Sequence, residues 1–284
     1  MRVLVTGSKG QLGSILNRLA PMYPHHSFFF YSQNELDICS VQQVRAILVL
    51  HHIEIVVNCA AYTLVDQAEE NASVCYAVNQ QAVLGIGQVA KELGIKVIHF
   101  STDYVFDGTS YLPYTEENPV NPMTIYGDSK WKGEQELMKV CPESVIIRTS
   151  WLYSDVGANF MLTMLRLGKE KKQLRVVYDQ IGTPTSAVDL AHLIFHILDT
   201  EFIPGIYHYS NEGVCSWFDF AKAIHCLAGI TTCEVLPILS ADYPTKAKRP
   251  HYSVLNKTKI KQIYKVNIPH WYDSLCGVLK EMNF

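Results

Sequence analysis

The chain has 284 residues, 48% of them hydrophobic and 18% charged, enough for one large domain or two smaller ones. Sixteen glycines and twelve prolines are ordinary usage, which excludes a fibrous or low-complexity chain. With 24 basic against 27 acidic side chains the net charge is −3, leaving no electrostatic footprint for nucleic acid or an anionic membrane.

The opening MRVLVTGSKG interrupts its apolar run at Gly7 and Gly10, so no secretory signal is expected. The longest apolar segments, such as 193–198, fall far short of a membrane span. Eight cysteines are scattered singly, with no C-x-x-C pair. Reduced, structural thiols in the cytoplasm are therefore expected.

In chain order, residues 2–6 read as a strand, 10–20 as a helix and 27–31 as a second strand. A helix over 41–51, a strand over 54–58 and a long helix over about 79–93 follow. Residues 95–101 and 144–148 read as strands, with a helix over about 125–140 between them. The strands are continuous apolar runs, as expected where helices cover both faces of a sheet. Their alternation with helices predicts an α/β fold, a Rossmann-type doubly wound parallel sheet with right-handed crossovers. Residues 1–150 would form the dinucleotide-binding and catalytic core.

The second half is less regular. Helices are predicted over 160–169, from a cap at Thr185 or Ser186 to about Leu198, and over 216–227 with Ser216 as N-cap. Strands are predicted over 174–177 and 205–209, and 239–250 reads as a loop. Residues 151–284 would form mainly a smaller, substrate-binding lobe, interleaved with segments that return to the first sheet.

In 5-VTGSKGQLG-13, Gly7, Gly10 and Gly13 fall between a strand and a helix. A tight turn, close phosphate approach and helix packing each favour glycine, and the helix N-terminus offers free N–H groups to a pyrophosphate. Nucleotide binding follows. The end of the second strand carries no acid to hold a ribose 2′-hydroxyl, the first acids being Glu35 and Asp37. NADPH, or NADPH and NADH alike, is the expected cofactor. Asp37 and Ile38 would border the adenine, unless Asp37 only caps the next helix.

Tyr126 and Lys130 lie four apart in 126-YGDSK-130 and so share one helix face. A phenol with an ordinary pKa of about 10 needs a neighbouring cation to exchange protons near neutrality, and Lys130 supplies one. Thr102, at the end of the fourth strand, is placed to hold a carbonyl oxygen. No zinc spacing or serine-nucleophile elbow accompanies them, so no metal is expected.

These segments, with 58-NCAAYTLVDQAE-69, 101-STDYVFDGT-109, 148-RTSWLY-153, 179-DQIGTPT-185, 216-SWFDFA-221 and 243-YPTKAKRPHYSVLNKTKI-260, resemble the extended short-chain dehydrogenases. Within these they resemble the dTDP-4-dehydrorhamnose reductase family, over nearly the whole chain. The resemblance implies Thr102, Tyr126 and Lys130 as catalytic, with Tyr126 and Lys130 also at the cofactor. It places Gly10, Gln11 and Leu12 along the dinucleotide, Asp37 and Ile38 near its adenosine, and Ala60, Ala61 and Tyr62 along its wall. Asp103 and Trp151 would contact the sugar nucleotide, with Phe106 a further candidate. Arg249 suits a diphosphate because guanidinium groups match phosphate oxygens.

The implied reaction reduces the 4-keto group of dTDP-4-dehydro-β-L-rhamnose, for surface polysaccharide. Another nucleotide-sugar reductase or epimerase stays open, as does a regulatory subunit like methionine adenosyltransferase β. Some family members bridge a dimer through Mg²⁺ held by a glutamate. The matching position is Ile15, which cannot ligate a hard cation, and a homodimer is left open.

Overall fold

The apolar runs near the N-terminus become parallel strands, each returned to the sheet by a helix. The computed structural model describes residues 1–284. The first half contains β1 (Arg2–Thr6), α1 (Gln11–Leu19), β2 (Ser27–Tyr31), α2 (Val41–Leu50), β3 (Ile55–Asn58), α3 (Val65–Ala68) and α4 (Ala72–Tyr76). It continues with α5 (Ala82–Leu93), β4 (Lys96–Thr102), α6 (Ile125–Val140) and β5 (Val145–Thr149). The second half contains β6 (Leu152–Tyr153), α7 (Phe160–Glu170), β7 (Gln173–Val177), β8 (Ile181–Gly182), β9 (Thr185–Ser186), α8 (Ala187–Asp199) and β10 (Gly205–His208). It ends with β11 (Cys215–Ser216), α9 (Trp217–Leu227), β12 (Glu234–Ile238), α10 (Thr258–Tyr264) and α11 (Trp271–Glu281).

Six strands form one parallel sheet in the order β10–β5–β4–β3–β1–β2. The strand order reverses between β1 and β3, and ligands bind at the carboxyl ends of strands beside such a switch. Alternate residues of each strand feed two cores. Val3, Val5 and Val57 face Leu16 of α1, Ile194 of α8 and Ile260 of α10. Leu4, Val56 and Val97 face Leu48 of α2, Ile86 of α5 and Leu137 of α6. A third core, with Met161, Phe220, Ile224 and Leu275, lies under α7, α9 and α11. No helix is long and apolar enough to cross a membrane.

The α/β fold matches the periodicity, and β10 pairs with β5 in the first sheet. The long helix expected over 79–93 instead starts at Ala72 and reaches α5 through a π turn at Ala77–Gln81. Ser40, not Asp37, caps α2 by accepting from Gln43 N. Ser216 forms a capping box with Asp219. The eight cysteines are all free.

Candidate active site

The glycine turn shows why the chain needs that residue type. Gly7 has φ +65°, and a Cβ there would lie 2.7 Å from the Ala60 nitrogen. Gly13 works differently from the sequence expectation: its Cβ would meet Ser8 Cα at 2.7 Å, so it seats the helix on the turn itself rather than on the sheet. Gly10 caps α1 in an extended conformation without a side-chain hydrogen bond. The leading N–H groups of Gln11, Leu12 and Gly13 thus lack intrahelical partners and suit a phosphate. The Leu12 side chain is buried, as is that of Ile15. The Gln11 amide turns the other way: its Oε1 accepts from Ser154 Oγ and Asn159 Nδ2, each at 3.0 Å.

At the end of β2, Glu35 folds back on Ser32, accepting from its backbone nitrogen at 2.9 Å and its hydroxyl at 2.6 Å. Those bonds hold the Glu35 carboxyl below its usual range. Asp37 is exposed and accepts from Cys39 N at 3.0 Å, whereas Ile38 packs into the core. Beyond β3, Ala60, Ala61 and Tyr62 line the chain's exit. Asn79, fully buried within the π turn, accepts from Tyr62 N at 2.9 Å and donates to Tyr62 O and Ser129 Oγ, each at 3.0 Å. One amide fastens the wall to α6.

The three side chains expected to react gather at the carboxyl end of β4. Thr124 caps α6 by accepting from Gly127 N, fixing the first turn that carries Tyr126 and, one turn later, Lys130. Lys130 is 2% exposed, and burial draws its ammonium down to about 8. Desolvation pushes the Tyr126 phenol up, the Thr102 hydroxyl opposes that, and Lys130 is not among the groups acting on it. The phenol therefore holds its proton at neutral pH. Asp103 is buried, takes a 3.0 Å bond from Thr102 Oγ1 and leaves its second oxygen unpartnered. Burial raises its carboxyl to about 6.

Trp151, at φ +47°, stacks on Trp217 with ring centroids 3.5 Å apart and planes 8° apart. Gly182 leaves room for that ring, since a Cβ there would sit 2.6 Å from Trp151 Cε2. Arg249 is paired with Asp66 of α3 by two bonds, at 2.5 and 3.0 Å. Phe106 is 2% exposed and stacks on Tyr114 beneath the Arg148 guanidinium, turned into a small core. Away from the site, His25 and His26 both reach Asp199, at 2.6 and 2.8 Å, beside the opposite end of β2.

The family model described as RmlD substrate binding domain matches residues 1–284. The chain belongs to that family. The spore coat polysaccharide biosynthesis protein SpsK of Bacillus subtilis (strain 168) is 39% identical, over 99% of this chain and 97% of its own. The dTDP-4-dehydrorhamnose reductase of Aggregatibacter actinomycetemcomitans is also 39% identical, over 98% of each chain. The dTDP-4-dehydrorhamnose reductase of Bacillus anthracis str. Ames, solved in complex with NADP, superposes with a TM-score of 0.95 at 37% identity, covering 99% of both chains.

Four side chains that pack against the candidate site escape a linear reading. Asn79 sits in a stretch that reads as plain helix start, and His99 in an apolar strand. Asp66 gains meaning only when Arg249 folds onto it. Trp217 lies inside 216-SWFDFA-221, a segment visible as a motif, but its stacking partner is not.

Proposed function

We infer that the protein is a dTDP-4-dehydrorhamnose reductase. It transfers hydride from a nicotinamide dinucleotide to C4 of dTDP-4-dehydro-β-L-rhamnose, giving dTDP-β-L-rhamnose. The observation that carries this reading is the set of buried Thr102 and Lys130 with half-buried Tyr126 at the end of β4, beside a glycine turn and an uncapped helix N-terminus.

The turn fits a dinucleotide. Gly7, Gly10 and the N–H groups of Gln11, Leu12 and Gly13 would cradle the pyrophosphate, and Ala60, Ala61 and Tyr62 would flank the nicotinamide half. Bound there, the cofactor supplies the hydride. Thr102 orients the carbonyl oxygen, and Tyr126 donates the proton that the oxygen takes up. Lys130 keeps a positive charge beside the phenol as that proton leaves, and preorganised groups of this kind lower the barrier most. Asp103 and Trp151 would hold the sugar, and Arg249 the diphosphate after leaving Asp66.

Glu35 turned onto Ser32 supports a preference for NADPH, or use of both cofactors, since its carboxylate is engaged by the turn rather than by a ribose. Residues 1–150 would bind the cofactor and carry the chemistry, with 151–284 mainly choosing the substrate. Ile15, fully buried, supports a reaction without Mg²⁺ and no metal bridge between subunits at that position. Eight free cysteines suit the cytoplasm. The test is loss of nicotinamide absorbance with NADPH and with NADH on the 4-keto sugar nucleotide, identifying the product. Dinucleotide binding without turnover would overturn the reading.

A further inference from the structure

A buried polar line crosses the sheet beneath the reacting groups. Thr6 Oγ1 donates to Asn58 Oδ1 at 2.6 Å, Asn58 Nδ2 lies 3.1 Å from His99 Nδ1, and His99 Nε2 lies 3.3 Å from Lys130 Nζ. Thr6, Asn58 and His99 are cross-strand neighbours on β1, β3 and β4, and each is 1% exposed. His99 is the only hydrogen-bond partner of the Lys130 side chain. The nearby carboxylate, Glu134 one turn along α6, is taken by Arg148.

The protons on this line are constrained. An ammonium has only donors, so it requires a lone pair on Nε2. The imidazole proton must then sit on Nδ1, and the sole group there is the Asn58 amide. An amide's oxygen and nitrogen exchange places by a half-turn with almost no change in shape. With a cationic Lys130, both ring nitrogens are satisfied once the amide makes that half-turn, so that its oxygen faces His99 Nδ1 and its nitrogen donates to Thr6 Oγ1.

We infer that neutral His99 holds Lys130 in place as a cation, accepting from Nζ while its Nδ1–H donates to the Asn58 oxygen. His99 is thus a positioning residue, acting through Lys130, and its role rests on the reading of Lys130 given above. Burial, then the ammonium itself, keep the imidazole well below its ordinary pKa. The other titratable and charged groups around Lys130 are Cys75 of α4 and Glu134 of α6, with Arg148 of β5 behind Glu134. Burial raises the Cys75 thiol and desolvation raises the Tyr126 phenol, so neither carries charge near neutrality.

Two variants and one spectrum test this. His99→Phe removes the acceptor and keeps a ring in the sheet; His99→Gln offers an amide oxygen in place of Nε2. A hydrogen bond to a charged group is strong enough that its loss moves the alkaline limb of kcat/KM down by about one pH unit in His99→Phe, about tenfold in rate above it. In His99→Gln the limb stays in place.

Independently of turnover, histidine-selective ¹⁵N spectra of the ligand-free protein, assigned by loss of the peak in His99→Gln, show a neutral Nδ1–H ring that does not titrate between about pH 6 and about pH 9. An Nε2–H ring, or a ring titrating in that window, overturns the inference even if His99→Phe fails to fold. So does an unmoved limb with lowered melting midpoints in both variants, while Tyr126→Phe abolishes turnover. Full turnover in both Tyr126→Phe and Lys130→Met overturns the reading of the site, and with it the role of His99.

Discussion

Arg249 and Asp66, 183 residues apart, close the 239–250 segment onto α3 through a two-pronged ion pair. Lys246 reaches Glu70 from the same segment, and Ala247 N donates to Asp66 at 3.1 Å. Asp66 thus occupies the guanidinium that a diphosphate would take. Arg249→Ala is expected to raise KM for the nucleotide sugar about 10- to 100-fold, the worth of a charged hydrogen bond, with kcat little changed. Steady-state kinetics check this; an equal fall in kcat at unchanged KM would contradict it.

The Trp151–Trp217 stack is the second-lobe counterpart. A non-glycine residue at positive φ is costly, and Trp217 lies flat against the ring that carries that strain. Trp217→Ala removes the platform, and aromatic pairs of this kind are worth about 0.5–1.5 kcal/mol beyond area. KM for the sugar nucleotide should rise about 3- to 10-fold, while dinucleotide affinity, read by fluorescence titration, stays unchanged.

What could be read without coordinates was local. The glycine turn, the helix at 125–140 and the Tyr126–Lys130 face depend on neighbours within a few residues, where spacing carries the information. Other features depend on distant groups meeting. Asn79 looked like an ordinary helix residue because a π turn, which swings its amide onto Tyr62 and Ser129, leaves no periodic mark. β12 pairs with β7 across 61 residues and had no alternation to reveal it. The phenol is raised rather than lowered because its desolvation outweighs the opposing Thr102 hydroxyl, a property of the packed site rather than of spacing.

Glu134 and Arg148, at side-chain exposures of 2% and 3%, form a buried pair with three N–H···O bonds. Glu134→Leu leaves the guanidinium uncompensated and should destabilise the fold by about 3–5 kcal/mol. Adding Arg148→Met should restore much of that, because an apolar pair avoids the desolvation cost. Urea unfolding midpoints of the single and double variants check the sign of the recovery.

Ile15 faces α8 inside the first core and offers no oxygen to a divalent cation. Dialysis against EDTA should leave turnover and sedimentation unchanged, and Ile15→Glu should destabilise the core rather than create a metal-dependent enzyme. Restored activity on adding Mg²⁺ to chelated wild-type protein would count against this.

If Tyr126 and Lys130 act as proposed, they set the pH profile. Burial draws Lys130 down to about 8, while desolvation keeps Tyr126 protonated well above that. The free-enzyme limb in kcat/KM therefore belongs to the lysine: activity is full below about 8 and falls as pH rises through it. Tyr126→Phe should lower kcat about 10²- to 10⁴-fold, the range for a general acid, with dinucleotide binding retained. Lys130→Arg should keep a cation at every accessible pH. Its residual activity should then show no alkaline limb near 8, and a limb that persists in that variant would assign the titration to another group.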